Sequence, residues 1–141
     1  MRKLNVLVAG STGYIGIQLV KLLVKHQNVN IMYLCGNSSV GKDISFFDKD
    51  LKYKKLPKIV KFNKSYLNKV DIIFTALPNG EAQLLSHHLL KKNRLIDLAA
   101  DFRLEDPEEY KKWYKINHQA KFNIKNSIYA LPEIRKKHIK N

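Results

Sequence analysis

Apolar residues in this chain fall in short runs broken by glycine, alternating with segments where they recur at helical spacing. Residues 6–9, with Leu4 ahead of them, form a nearly continuous Val-rich run, as a parallel strand buried on both faces requires. Beyond the glycines, Ile15, Leu19, Leu22 and Leu23 recur at i, i+4, i+7 and i+8, which marks one face of a helix. A second strand is predicted over 30–35 after a turn at 26–28, completing a β-α-β unit. Further strands are expected at 59–62, as a short edge strand, and at 72–76, 95–98 and 127–130. Helices are expected through Ala82, Leu85 and Leu89, with His87 and His88 on the surface, and from Pro107, with Tyr110, Trp113 and Tyr114 as a core-facing stripe. A last, charged helix is expected over 131–141. Residues 43–69 are Lys-rich and irregular, and Pro57 argues against a long helix there. Strands alternating with helices predict an α/β fold with a doubly wound, mostly parallel Rossmann-like sheet. The whole chain, 1–141, reads as one domain without an internal linker or repeat.

The most informative stretch joins the first strand to the first helix: Gly10-Ser-Thr-Gly13-Tyr-Ile-Gly16. Glycines here let backbone N–H groups face an anion where the helix dipole is positive. Gly10 makes the turn, Gly13 admits a pyrophosphate close to the backbone, and Gly16 lets helix and strand approach. Ser11 and Thr12 add hydroxyl donors. The spacing Gly-x-x-Gly-x-x-Gly departs from the commoner Gly-x-Gly-x-x-Gly, so the bland alternative is a turn that only closes helix against sheet.

The end of the second strand is where a dinucleotide's adenosine ribose reaches. An acidic residue there, roughly 20 residues beyond the glycines, selects NAD. Here the tip is Cys35-Gly-Asn-Ser-Ser-Val-Gly-Lys42, with no carboxylate before Asp43. Together with Ser38, Ser39 and Lys42, this favours a 2′-phosphate and hence NADP, although the same residues also describe an exposed loop. Leu77-Pro78-Asn79-Gly80, after a strand end, forms a second wall of the expected cofactor site. Arg103 follows another strand end; it reads either as an anion clamp or as an ion-pair partner of Asp101 or Glu105.

Charge adds less than it promises. The chain carries a formal net charge of +14, but from 22 Lys against 4 Arg spread along its whole length. Scattered Lys mostly solvates a surface, whereas specific nucleic-acid readout relies on Arg and a recognisable motif, neither of which is concentrated here. Specific nucleic-acid binding is therefore not expected. Cys35 is the single cysteine, so no internal disulfide or cysteine zinc site can form, and its place at a strand end reads as a small buried hydrophobe. No membrane-spanning run and no signal-peptide pattern occur, so a cytoplasmic location is expected.

Four strings together resemble the N-acetyl-gamma-glutamyl-phosphate reductase family. They are Gly10-Ser-Thr-Gly13-Tyr14-Ile15-Gly16, Asp71-Ile-Ile-Phe-Thr-Ala-Leu-Pro-Asn-Gly80, Ile96-Asp-Leu-Ala-Ala-Asp-Phe-Arg103-Leu-Glu-Asp-Pro107 and Tyr129-Ala-Leu-Pro-Glu133. The first is shared with the wider aspartate-semialdehyde dehydrogenase group. The resemblance implies NADPH-dependent reduction of an acyl phosphate, N-acetyl-glutamyl phosphate, to its semialdehyde with release of phosphate, in arginine biosynthesis. It implies that Gly10, Ser11, Thr12, Gly13, Tyr14, Ile15 and Gly16 bind the pyrophosphate, and that Ser38 and Ser39 lie near the 2′-phosphate. Leu77 and Pro78 would flank the nicotinamide, and Arg103 would hold a substrate phosphate. In the family a cysteine thiolate attacks the acyl phosphate and a histidine serves as acid and base; full-length members are homo-oligomeric. The segment carrying that cysteine, Asn-Pro-Gly-Cys, follows the Tyr-x-Leu-Pro-Glu string in the family and does not occur before Asn141. The chain alone is accordingly expected to bind cofactor without turnover. The alternatives are a cofactor domain of the aspartate-semialdehyde dehydrogenase type and a non-catalytic NADP(H)-binding regulatory module.

Overall fold

A computed structural model describes residues 2–131 and Glu133. The fold divides into two compact units: one runs to Leu77 and includes His88–Leu98, and the other comprises Pro78–His87 and the described residues from Ala99 onward.

The first unit holds a five-stranded parallel sheet of β1 (Leu4–Ala9), β2 (Val29–Cys35), β3 (Ile59–Val60), β4 (Ile72–Thr75) and β5 (Arg94–Asp97), in the order β3-β2-β1-β4-β5. The Rossmann-like fold expected from the alternation is what forms. β1 is central because Val6, Leu7, Val8 and Ala9 are all buried, so neither face of that strand tolerates water. Val6, Val8, Leu34 and Ile59 pack with Val20 and Leu23 of α1 (Tyr14–Leu23) and with Ile44 and Leu51. Burying each such side chain contributes about 1.5–3 kcal/mol.

The helical face of α1 keeps Leu19 and Leu23 of the expected one but not Ile15 and Leu22. Gly16, Val20 and Leu23 are buried, whereas Ile15 is 49% and Leu22 68% exposed. Gly16 decides this: a helix that brings its glycine against the loop before it must also turn residues 20 and 23 inward, and residues 15 and 22 fall about 100° away.

The Lys-rich stretch 43–69 is three short 3-10 turns and the edge strand β3, two residues long. Ile44, Leu51 and Leu67 anchor it inward. Lys21 of α1 ties it down by donating to Asp48 and Asp50 at 3.1 and 2.6 Å. Before β5, Asn93 is buried: its amide donates to the carbonyls of Leu67 and Val70, and its oxygen accepts the Leu90 N–H.

In the second unit lie α2 (Glu81–Ser86), α3 (Pro107–Tyr114) and α4 (Lys121–Ile124). α2 ends before Leu89, so His87 and His88 stand past the helix, exposed as expected. Its early end reflects the turn at 90–93, closed by Asn93, which redirects the chain into β5. Asp106 caps α3 by accepting the Glu108 N–H, with Pro107 at its first position. Only Tyr110 of the expected aromatic stripe is fully buried, while Trp113 is 69% exposed. The Tyr110 hydroxyl is committed to a buried carboxylate at 2.6 Å, Tyr114 packs on its ring at 4.7 Å, and Trp113 is thereby turned outward.

The strand expected at 127–130 does not form. The N–H and hydroxyl of Ser127 both bond the Ile124 carbonyl, closing α4 instead of pairing with the sheet. The helix expected over 131–141 lies outside the described residues except for Leu131 and Glu133. No helix among the described residues is long and apolar enough to cross a membrane.

Candidate cofactor site

β1 delivers the chain into the glycine loop, and two of its three glycines are demanded by the fold itself. Gly10 has φ +80°, and a β-carbon there would lie 2.2 Å from the Ala76 carbonyl oxygen. At Gly16 a β-carbon would lie 2.1 Å from the Gly10 oxygen and 2.9 Å from the Ser11 α-carbon. Gly13 is different. Its backbone is extended, at φ −73° and ψ 164°, which any residue adopts, and a β-carbon would meet nothing closer than the Gly10 oxygen at 3.6 Å. The fold does not require a glycine at 13, yet the site is exposed and sits at the N-cap of α1.

Among the described residues, nothing neutralises that N-terminus by capping. No side chain caps it and no acidic residue stands in its first turn. The N–H groups of a helix's first turn have no intrahelical partner and carry the positive end of its dipole. The 10–16 loop thus presents donors, a positive potential and backbone bare of a β-carbon at one place, which suits a phosphate.

Ser11 holds this loop to the second strand. It is fully buried, and its N–H and hydroxyl both donate to the Cys35 carbonyl, at 3.0 and 3.1 Å, alongside the Gly10 N–H at 3.0 Å. Its donors are therefore taken up within the protein. Thr12 is half-buried, and a β-carbon on Gly36 would lie 3.6 Å from its hydroxyl oxygen and 3.9 Å from the Ser39 β-carbon. Thr12, Gly36 and Ser39 therefore meet where β1 and β2 end side by side. Ser38 is exposed and Ser39 buried. Lys42 turns its ammonium over the Phe46 ring, 4.7 Å from the centroid. Leu77 borders the loop as well, its Cδ2 lying 3.2 Å from where a Gly10 β-carbon would be. Tyr14 and Ile15, at the start of α1, are exposed.

Cys35 has the environment expected of a hydrophobe: burial pushes its thiol up to about 12. A thiol that remains protonated and enclosed is no nucleophile at neutral pH.

In the second unit the start of α2 is a contrast to the start of α1. Its N-cap, Gly80, has no capping side chain of its own. The Asp101 carboxylate, fully buried, supplies the acceptor, taking the N–H of Gly80 at 2.7 Å and of Gln83 at 3.2 Å. This helix end is already neutralised by a protein anion. Pro78, just ahead of it, is exposed. Arg103 is exposed and turns neither to Asp101 nor to Glu105: its guanidinium donates to the Ala99 carbonyl at 3.3 Å and stands 5.9 Å from the Tyr129 ring centroid. From the sequence Asp101 is legible only as a partner for Arg103, not as the cap of α2. The one available signal was Gly80 itself, a helix start without a capping side chain. No cluster of metal-ligating side chains occurs among the described residues.

Comparison with known proteins identifies the family. Residues 5–141 match the family model described as semialdehyde dehydrogenase, NAD binding domain. An N-acetyl-gamma-glutamyl-phosphate reductase of Campylobacter jejuni subsp. doylei is 40% identical over 141 residues, which is 98% of this chain and 40% of that protein. One of Clostridium novyi is 44% identical over 138 residues, 94% of this chain and 39% of that protein. The chain thus spans about two fifths of the length of these relatives. A crystal structure of an aspartate semialdehyde dehydrogenase with NADP from Candida albicans superposes with a TM-score of 0.58 at 21% identity, covering 74% of this chain and 32% of that one.

Proposed function

The chain belongs to the semialdehyde dehydrogenase NAD-binding domain family, and we propose that it is the NADP(H)-binding part of an N-acetyl-gamma-glutamyl-phosphate reductase. The observation that carries the cofactor reading is Gly13, a glycine that the fold does not need, at a helix N-terminus that no described side chain caps and whose first turn holds no acidic residue. The reductase reading rests on relatives of that name at 40% and 44% identity over nearly the whole chain. The activity is NADPH-dependent reduction of N-acetyl-glutamyl phosphate to its semialdehyde with release of phosphate.

The backbone N–H groups at the start of α1 receive the pyrophosphate, with the bare backbone of Gly13 allowing close approach and Gly10 and Gly16 holding the loop in shape. Ser11 contributes by pinning that loop to Cys35. The hydroxyls of Thr12, Ser38 and Ser39 stand at the adenosine ribose, where the absence of a carboxylate between Cys35 and Lys42 leaves room for a 2′-phosphate. Tyr14 and Ile15 offer exposed surface beside the phosphates. Leu77, with Pro78 following it in the chain, meets the nicotinamide, and Arg103 holds the substrate's phosphate by charge-assisted hydrogen bonds. When bound, the nicotinamide supplies the hydride.

Hydride acceptance requires an acyl group activated on a nucleophile. The chain's single cysteine, buried and protonated, does not provide one, so this polypeptide binds cofactor without turnover. Calorimetric titration of the 141-residue chain with NADPH tests the reading. Saturable 1:1 binding with a dissociation constant of about 1 mM or tighter is expected. No heat of binding at several times that concentration, or steady reductase turnover by this chain alone, would overturn it.

A further inference from the structure

Asn79 and Gly80 are the residue pair in which an asparagine is most readily lost by reaction with its own main chain, and they stand in the turn that opens α2. The chemistry needs only water. Hydroxide takes the Gly80 amide proton, and the nitrogen attacks the Asn79 side-chain carbonyl carbon. Ammonia leaves with a proton from water as the new N–C bond closes a succinimide ring. Water then opens that ring at one carbonyl or the other, leaving aspartate or isoaspartate, and no electrons are transferred. Glycine in second place favours closure, because no β-carbon crowds the attacking nitrogen and the backbone is permissive. Asn79 is exposed, so burial keeps neither its side chain nor water away.

What stands against the reaction is Asp101. Its carboxylate is fully buried and accepts the Gly80 N–H on both oxygens, at 2.7 and 3.0 Å. The Gln83 N–H, the Gln83 amide and the Tyr110 hydroxyl also donate to it, at 3.2, 3.1 and 2.6 Å, as suits an ionised carboxylate, which only accepts. The Asp101 main chain is held too. The Ala120 N–H donates to His118 Nδ1 at 3.1 Å, which places the imidazole proton on Nε2, and Nε2 donates to the Asp101 carbonyl at 2.6 Å. The species that attacks Asn79 is an amide anion. Forming it at Gly80 breaks the hydrogen bonds to a charged acceptor and sets a second negative charge against a carboxylate that water does not screen. All of these residues belong to the second unit.

We propose that Asn79 is a site of spontaneous deamidation that Asp101 withholds in the folded chain. The reaction runs when the Gly80 N–H leaves the carboxylate, so its rate follows local opening of the 78–80 turn and not the exposure of the asparagine. The product carries a further negative charge next to Gly80, and isoaspartate adds an extra main-chain methylene to the turn. Both oppose re-forming the Asp101 grip, so a chain whose turn has opened is permanently marked.

The test follows aspartate and isoaspartate at residue 79 by peptide mass spectrometry, with the full chain held at mildly alkaline pH. Asn126, ahead of Ser127, whose N–H donates to the Ile124 carbonyl at 3.0 Å, is an exposed asparagine of the same unit and serves as the internal reference. Asp101→Asn keeps the shape and removes the charge; it should speed conversion of Asn79 about tenfold or more and leave Asn126 unchanged. Hydrogen exchange of the Gly80 amide passes through the same anion, so it serves if Asp101→Asn fails to fold. In the folded parent chain that amide should exchange about a hundredfold or more slowly than in urea-unfolded chain. Conversion of Asn79 as fast in the folded parent chain as in the unfolded one would overturn the proposal. So would equal acceleration at residues 79 and 126, no acceleration in a folded Asp101→Asn chain, or a Gly80 amide that exchanges at the unfolded rate.

Discussion

The α-carbon of Gly16 rests against the main-chain carbonyl of Gly10, so closely that a β-carbon would stand 2.1 Å from its oxygen. Backbone cannot retreat as the tip of a flexible side chain can, so Gly16→Ala must push α1 away from the glycine loop. Overpacking of this kind costs about 1–3 kcal/mol, and a lowered denaturant midpoint should report it.

Gly13→Ala should separate function from fold. Its β-carbon would meet only the Gly10 oxygen, at an ordinary 3.6 Å, and its φ suits alanine. Stability should change by no more than about 0.5 kcal/mol. NADPH affinity should nevertheless fall about tenfold or more, because the new methyl occupies the approach of the pyrophosphate. An unchanged NADPH titration in a normally folded Gly13→Ala chain would remove the loop from the phosphate site.

The three glycines were legible in the sequence as a strand-turn-helix junction, and so was the parallel sheet, because Val6 to Ala9 and Ile72 to Phe74 are apolar on both faces. The buried face of α1 was legible only in part. Counting apolar residues selects Leu19 and Leu23, which do pack on the core, but also Ile15 and Leu22, because the face is set by the residue without a side chain, Gly16, which hydropathy ignores. Trp113 misled for a related reason: periodicity puts it beside Tyr110, but the long-range hydrogen bond to Asp101 selects which ring turns inward. The strand expected at 127–130 had the right composition, and the local bonds from Ser127 to Ile124 took its place. Asp101 was invisible as a cap because its partners lie 18 and 21 residues away, beyond the reach of any local capping pattern.

Cys35 ties stability to alkaline pH. Its folded-state thiol is pushed up to about 12 by burial from an ordinary 9.0. Between those values the unfolded chain loses the proton and the folded chain keeps it, so the contribution is complete below about 9 and is lost as pH rises toward 12. Cys35→Ala should flatten the fall in stability over that window relative to the parent chain, as measured by urea unfolding at a series of pH values. A thiol-reactive disulfide reagent at pH 8 should label the native chain slowly and the unfolded chain fast. Rapid labelling of native protein would contradict the burial.

At the acid end the corresponding group is Asp71, which accepts the Asn5 N–H and the Arg2 guanidinium, each at 2.8 Å. The Asn5 N–H first, and Arg2 after it, hold this carboxyl below the usual carboxylate range. A lowered folded-state value means that its stabilisation is present above the ordinary carboxylate pKa and disappears as pH falls through the lowered one. Asp71→Asn should therefore reduce stability at neutral pH and make it less dependent on pH in the acid range. Arg2→Ala should do much less, since Arg2 is 76% exposed and its pairing is screened. Unfolding curves at pH 3 and pH 7 would distinguish the two, and equal effects would show that the guanidinium rather than the backbone bond dominates.

Cofactor choice should turn on Ser38. It is exposed at the end of β2, in a loop that carries no carboxylate between Cys35 and Lys42. An aspartate placed there would repel a 2′-phosphate and would accept hydrogen bonds from a ribose carrying a free 2′-hydroxyl. Ser38→Asp should accordingly weaken NADPH about tenfold or more and leave NADH equal or tighter. Because the side chain is exposed, stability should move by no more than about 0.5 kcal/mol. Parallel titrations with the two cofactors measure the ratio directly. If Ser38→Asp left the NADPH-to-NADH ratio where the parent chain has it, the adenosine ribose would have to lie away from the β2 tip, and the case for NADP would lose its structural basis.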